Sequence, residues 1–220
     1  MNYLILVMYL IVSILHLIAS FHDDSKRRAK TKPFLMILLL LFYLVSTDEI
    51  SIPLALALFA SWLGDVLLIP KGHGWFTAGG IAFIFSHLFF IMVYLTRVDL
   101  NRIPWSIVIP VGVLYYGIAL CIILAVQKTT PKQMIIPMYF YLLCNSTMNV
   151  FALMQWLFTR SAGAMTAFIG ALLFYISDCT LFLVRYYKRP EIVYKKHFTV
   201  MLTYLLGELL IVVGVLMLKG

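Results

Sequence analysis

Two aspartates stand where a carboxylate is costly. Asp65 lies in Leu58-Phe59-Ala60-Ser61-Trp62-Leu63-Gly64-Asp65-Val66-Leu67-Leu68-Ile69, and Asp178 in Gly170-Ala171-Leu172-Leu173-Phe174-Tyr175-Ile176-Ser177-Asp178-Cys179-Thr180-Leu181. An ionisable side chain at the centre of a membrane helix costs roughly 3 kcal/mol on insertion scales. A chain keeps such a group where it is paired, where it lines a wet cavity, or where it moves protons. No lysine or arginine lies inside these runs to pair with either aspartate. Asp65 and Asp178 are therefore the candidate catalytic residues, two carboxyls working as acid and base.

Other polar residues recur at helical spacing. Tyr141, Asn145 and Asn149 are four apart and share a face, as do Tyr204 and Glu208. His87 stands alone in another apolar run, and Lys32 borders one more. The candidate substrate-binding set is His87, Tyr141, Asn145, Tyr204, Glu208 and Lys32. Each has a structural reading beside the functional one. Asparagines in a bundle hydrogen-bond helices together, and tyrosines fill amphipathic core positions. A lone histidine is commonly a satisfied core residue, and Lys32 and Arg185 suit interfacial anchors.

Several chemistries find no support. There is no HExxH, Gly-rich phosphate loop or GxSxG elbow. Only His16 and His87 fall inside the apolar runs, too few for a three-histidine zinc site. Cys121, Cys144 and Cys179 are dispersed at lipid depth, which suits neither a disulfide framework nor a CxxC site.

The elements that must position these groups follow from composition. The 220 residues are 63% apolar and only 12% charged, far from the balance of a soluble domain. That surplus of apolar surface belongs in lipid, where helices satisfy their own backbone. The expected fold is all-α, a polytopic membrane bundle of about eight helices forming a single transmembrane domain over residues 1–220. The expected spans are Tyr3–Ser20, Pro33–Thr47, Ser51–Ile69, Phe76–Thr96, Pro104–Gln127, Pro131–Phe158, Ala162–Tyr186 and Phe198–Leu218. A polar loop, His22–Lys32, should join the first two. Ser51 should cap the third helix, and Pro110 and Pro137 should kink the fifth and sixth. Gly163, Ala167 and Ala171 form a small-residue stripe that admits a close helix neighbour.

The net charge of +8 indicates lipid head groups and orientation rather than nucleic acid, because the basic residues sit between apolar runs. Loops after the odd-numbered helices hold 13 of the 17 lysines and arginines. The positive-inside rule puts those loops in the cytoplasm and both termini outside. Asp65 lies six residues before Lys71 and Asp178 seven before Arg185, so both should sit roughly 10 Å from the cytoplasmic helix ends.

In series, these residues resemble the YhhN-like lysoplasmalogenases, small multi-pass membrane hydrolases. The resemblance runs over about residues 32–212. It is carried by Lys32-Pro33, Gly64-Asp65-Val66-Leu67-Leu68, Gly80 with Phe83 and His87, then Tyr141, Met148 and Ala152. Gly170-Ala171-Leu172-Leu173-Phe174 through Ser177-Asp178 is its strongest piece, and Thr203-Tyr204 with Glu208 closes it. Glu208 departs from the family, which usually has glutamine there. The resemblance implies hydrolysis of the vinyl ether bond of a lysoplasmalogen to a fatty aldehyde and a glycerophospho-base. It implies a lysophospholipid partner within the membrane, no nucleic acid, and no metal or organic cofactor. The expected location is the bacterial cell membrane rather than the endoplasmic reticulum. Two carboxyls suit the chemistry, since glycosidases generate a related oxocarbenium ion with one protonated and one ionised carboxyl. The alternative is a proton- or lipid-coupled transporter using the same aspartates as a relay.

The orientation is tested by cysteine labelling. A probe cysteine at Ser25 in a Cys-free variant should resist membrane-impermeant reagents in intact cells and react after lysis. Labelling in intact cells reverses the topology.

Overall fold

The computed structural model describes residues 2–218. Met1, Lys219 and Gly220, the termini expected outside the cytoplasm, lie outside the described residues. Eight α-helices follow one another: α1 (Asn2–Phe21), α2 (Ser25–Val45), α3 (Ile52–Leu67), α4 (His73–Leu95), α5 (Trp105–Val126), α6 (Lys132–Thr159), α7 (Ala162–Tyr186) and α8 (His197–Met217). Among the described residues there is no strand. Six of the helices, all but α2 and α3, are long and apolar enough to cross a membrane.

α2 departs most from expectation. Residues 25–32 are not a loop but the first two turns of this helix. Asp24 caps it, accepting from the backbone N–H groups of Lys26 and Arg27. Lysine, arginine and alanine then continue the helix, since none of them resists it. Pro33 consequently lies inside α2 rather than at its start. Lys32 is carried on a rigid helix, and the Trp62 indole donates to the Pro33 carbonyl at 2.9 Å, docking α3 beside it.

α3 is short. Its 16 residues rise about 24 Å, less than the ~30 Å hydrocarbon core. It stops at Leu67 rather than Ile69, so Asp65 falls in its last turn, whereas α7 continues eight residues beyond Asp178. The two aspartates are thus not equally far from their own helix ends. Ser51 holds the N-cap position without a side-chain cap bond; its N–H donates instead to the Tyr43 hydroxyl at 2.7 Å. α5 and α6 run unbroken through Pro110 and Pro137.

α7 and α8 form the closest pair. A Cβ built on Gly170 would stand 2.6 Å from the Gly207 carbonyl oxygen, and one on Gly214 would stand 2.5 Å from the Ala167 nitrogen. Only hydrogen at these positions lets the backbones approach so far. The stripe on α7 therefore includes Gly170, and its counterpart on α8 is Gly207 and Gly214. Ser177 extends the seam by donating to the Val200 carbonyl at 2.9 Å. The seam holds Asp178 and Tyr204 in fixed relation at one end of the bundle.

Gly170→Leu should lower stability by about 3 kcal/mol, the upper end for overpacking, because backbone cannot move aside. Gly117→Ala, where a Cβ meets nothing within 4 Å, should leave stability unchanged or slightly higher. Unfolding of the detergent-solubilised protein measures both.

Candidate functional site

A cavity of about 350 Å³ opens at the end of the bundle where α3 and α7 finish and α2, α4 and α8 begin. Asp65 and Asp178 both line it, with Lys32, Tyr141, Ser177 and Tyr204. Three of the expected substrate-binding residues, Lys32, Tyr141 and Tyr204, thus reach the cavity. His87, Asn145 and Glu208 lie behind its wall, fully buried.

Asp65 has a cation after all. Lys32 Nζ lies 3.2 Å from its Oδ1, and the Tyr204 hydroxyl donates to its Oδ2 at 3.1 Å. The absence of a basic partner, expected from sequence, is overturned by the N-terminal extension of α2. Each oxygen of this carboxylate has one donor, one from α2 and one from α8.

Asp178 is held differently. Asn145 donates its side-chain N–H to Oδ2 at 2.6 Å. His87 Nε2 lies 3.3 Å from the same oxygen, without the alignment of a hydrogen bond. Both His87 ring nitrogens lack a hydrogen-bonded partner among the described residues. Asn149 donates to the Asn145 side-chain and backbone oxygens, both at 3.0 Å. The side-chain bond orients Asn145 with its N–H groups toward Asp178. The four-residue spacing on α6 therefore builds a support behind the aspartate. His87 is boxed by the rings of Tyr141 and Phe174, at 5.2 and 5.1 Å between centroids.

Glu208 belongs to a second layer, one turn deeper on α8 than Tyr204. Ser61, one turn before Asp65 on α3, donates to Glu208 Oε1 at 2.7 Å, and Ser86 Oγ lies 2.8 Å from Ser61 Oγ. Glu208 Oε2 has no partner among the described residues. Ser61 and Ser86 were not singled out by sequence. Ser61 was accessible from its four-residue spacing to Asp65, and Ser86 only from adjacency to His87. Arg28, Lys71 and Arg185 also line the cavity; in the sequence Arg28 and Lys71 read as loop cations and Arg185 as an interfacial anchor.

The YhhN family profile matches residues 27–215. The chain is similar to proteins named uncharacterized membrane protein YhhN from Escherichia coli O6:H1, Escherichia coli O157:H7 and Shigella flexneri. It is 30% identical to each over 163 residues, which cover 73% of this chain and 74% of the relative. No solved structure matches it.

Lys32→Met strands the Asp65 carboxylate without its cation and should cost on the order of 3 kcal/mol of stability. Adding Asp65→Asn removes the uncompensated charge and should recover most of that loss. A double-mutant cycle on detergent-solubilised protein checks it; additive losses mean that the pair is not coupled.

Proposed function

The chain belongs to the YhhN family of membrane proteins, and from that premise and the site geometry we propose that it hydrolyses the vinyl ether bond of lysoplasmalogens. The observation that supports this most is that carboxyls from α3 and α7 line one cavity with unlike partners. Asp65 is ion-paired with Lys32, whereas Asp178 has an amide and an imidazole. The first suits a standing carboxylate and the second an acid whose conjugate base is immediately stabilised.

Cleavage then runs in three steps. Protonated Asp178 delivers its proton to the second carbon of the alkenyl chain. The double-bond electrons form that C–H bond, and the first carbon becomes an oxocarbenium ion bonded to the ether oxygen. Asn145 holds the carboxylate left behind, with the His87 ring 3.3 Å away beside it. Asp65 next takes a proton from a water molecule as its oxygen bonds to the first carbon, giving a hemiacetal and neutral Asp65. Finally Asp65 returns that proton to the ether oxygen while Asp178 takes the hydroxyl proton. The carbon–oxygen bond to glycerol breaks, aldehyde and alcohol leave, and both aspartates regain their starting states. The reaction consumes one water and calls on no group outside this chain. Tyr204 and Lys32 hold Asp65 in place throughout, and Tyr141, beside Asp178, bounds the reacting bond.

Asp178→Asn and Asp65→Asn should each lower turnover by 10²-fold or more, the range of general acid–base catalysis, while the protein stays folded. In heavy water the released aldehyde should carry one deuterium at its second carbon. Mass spectrometry of rapidly trapped aldehyde reads this out, with a control for solvent exchange. A fatty acid product identifies an esterase instead. Substrate movement only in sealed vesicles, with no turnover in detergent, identifies a transporter.

A further inference from the structure

One buried imidazole on the cavity wall has no part in the acid–base steps, and its assignment to a substrate group rests on the hydrolase reading. His16, on α1, is 1% exposed and lines the cavity with Arg28, Lys32, His197 and Tyr204. Its Nδ1 lies 2.7 Å from the Thr31 hydroxyl oxygen. That hydroxyl also meets the backbone carbonyls of Arg27 at 3.0 Å and Arg28 at 3.2 Å. A threonine hydroxyl has one proton, and carbonyls only accept. Thr31 therefore donates to the carbonyls of its own helix, and His16 Nδ1–H donates to Thr31. Among the described residues no carboxylate pairs with the ring, and a buried imidazolium without one is costly. The ring thus carries its single proton on Nδ1, and Nε2 keeps a lone pair.

That lone pair is open to the cavity. Both ring nitrogens of His87 are sealed in protein without a hydrogen-bonded partner, whereas His16 Nε2, also unpartnered among the described residues, is not sealed. Its place is set by α2. Thr31 holds His16, and the next residue, Lys32, holds Asp65 Oδ1 at 3.2 Å. Neighbouring residues on a helix differ by about 1.5 Å in height, so the imidazole and the carboxylate are tied to one level of the same helix. The cavity also carries Arg28, Lys71 and Arg185. A fixed acceptor in a site so rich in cations calls for a neutral donor, a hydroxyl. An anion or an ester oxygen would meet the lone pair with another lone pair.

We propose that His16 is a specificity-determining residue, its Nε2 accepting a hydrogen bond from a free hydroxyl on the glycerol carbon next to the vinyl ether. In the final step Asp65 hands a proton to the ether oxygen. That places the oxygen at Asp65 and the glycerol carbons against the wall that α2 shares between Asp65 and His16. The hydroxyl stands on the adjacent carbon and turns its proton to the imidazole. A lipid acylated at that carbon presents ester oxygens in place of the donor and leaves Nε2 unpaired. A site built to bond a hydroxyl rejects an analogue without it more strongly than an apolar pocket can. His16 thus reads the hydroxyl and carries no proton, since the acid–base steps balance without it.

The test uses the full chain in nanodiscs and two lipids without a vinyl ether, a 1-alkyl lysophosphoethanolamine and its 2-deoxy counterpart. Binding is then read whether or not the protein is a hydrolase. Competition against a fluorescent 1-alkyl lysophospholipid measures both. The wild-type protein should bind the hydroxyl lipid about tenfold more tightly, the loss expected when a buried acceptor goes unpaired. The shorter amide of His16→Asn keeps the Thr31 contact and has no atom at Nε2. This variant should lose about tenfold on the hydroxyl lipid relative to the 2-deoxy lipid, bringing the two to within about twofold. His16→Gln, whose amide reaches the Nε2 position, should restore part of the preference. A role for His16 only in clamping α1 to α2 predicts equal loss on both lipids in His16→Asn, and that result overturns the proposal. So does a wild-type protein that binds both lipids alike, or a preference that survives in His16→Asn. If a 1-alkenyl lysolipid is still turned over in those cases, only the role of His16 falls. The expected binding pattern without such turnover removes the hydrolase reading and leaves the hydroxyl site standing.

Discussion

A carboxyl inside a membrane bundle must find donors on neighbouring helices, and that requirement shapes the interior of this protein. Three acidic side chains, Asp65, Asp178 and Glu208, are buried, and each is met from neighbouring helices. Asp65 on α3 draws Lys32 from α2 and Tyr204 from α8. Asp178 on α7 draws Asn145 from α6 and approaches His87 on α4. Glu208 on α8 draws Ser61 from α3. Every one of these contacts crosses between helices, so the polar interior fixes helix register in a medium where apolar surface gives little preference.

The glycine seam between α7 and α8 supplies what polar contacts cannot, a fixed separation. With Gly170 against Gly207 and Gly214 against Ala167, the helices are locked by backbone contact rather than by adaptable side chains. A site on two such helices is held within tighter limits than one on loops. Between α4 and α6, Met134 and Met138 line a small apolar pocket with Gly80 and Ile81. Methionine adapts its shape easily. The α7–α8 seam carries Asp178 and Tyr204 on a rigid frame.

The two layers of α3–α8 contacts also differ in consequence. Asp65 with Tyr204 borders the cavity, whereas Ser61 with Glu208 lies one turn further in, closed off from it. The Glu208 carboxyl supplies an acceptor for Ser61. Its second oxygen, which an amide would replace with a donor, stays without a partner. Glu208 thus lies behind the cavity wall, one turn from the Asp65–Tyr204 contact, and does not itself border the cavity.

The sequence by itself determined the class of the molecule and its chemical candidates. Apolar runs of the right length can only be membrane helices, because an unsatisfied backbone is not tolerated in lipid. A carboxylate inside such a run is conspicuous by its cost, so Asp65 and Asp178 were legible without any structure. The four-residue spacing that puts Tyr141, Asn145 and Asn149 on one face of α6 was legible for the same local reason. What only the tertiary structure decided was the pairing. Lys32 read as an interfacial anchor because nothing local shows that α2 begins at Ser25 or that Trp62 docks α3 against Pro33. Ser61, Ser86 and Gly207 carry no signal alone, since their roles depend on what stands opposite them. The division between a cavity-facing Tyr204 and an enclosed Glu208, one turn apart on the same face of α8, is set by the ends of α3 and α2. Helical periodicity assigns a residue to a face, but only the packing of the other helices decides which part of that face meets water and which meets protein.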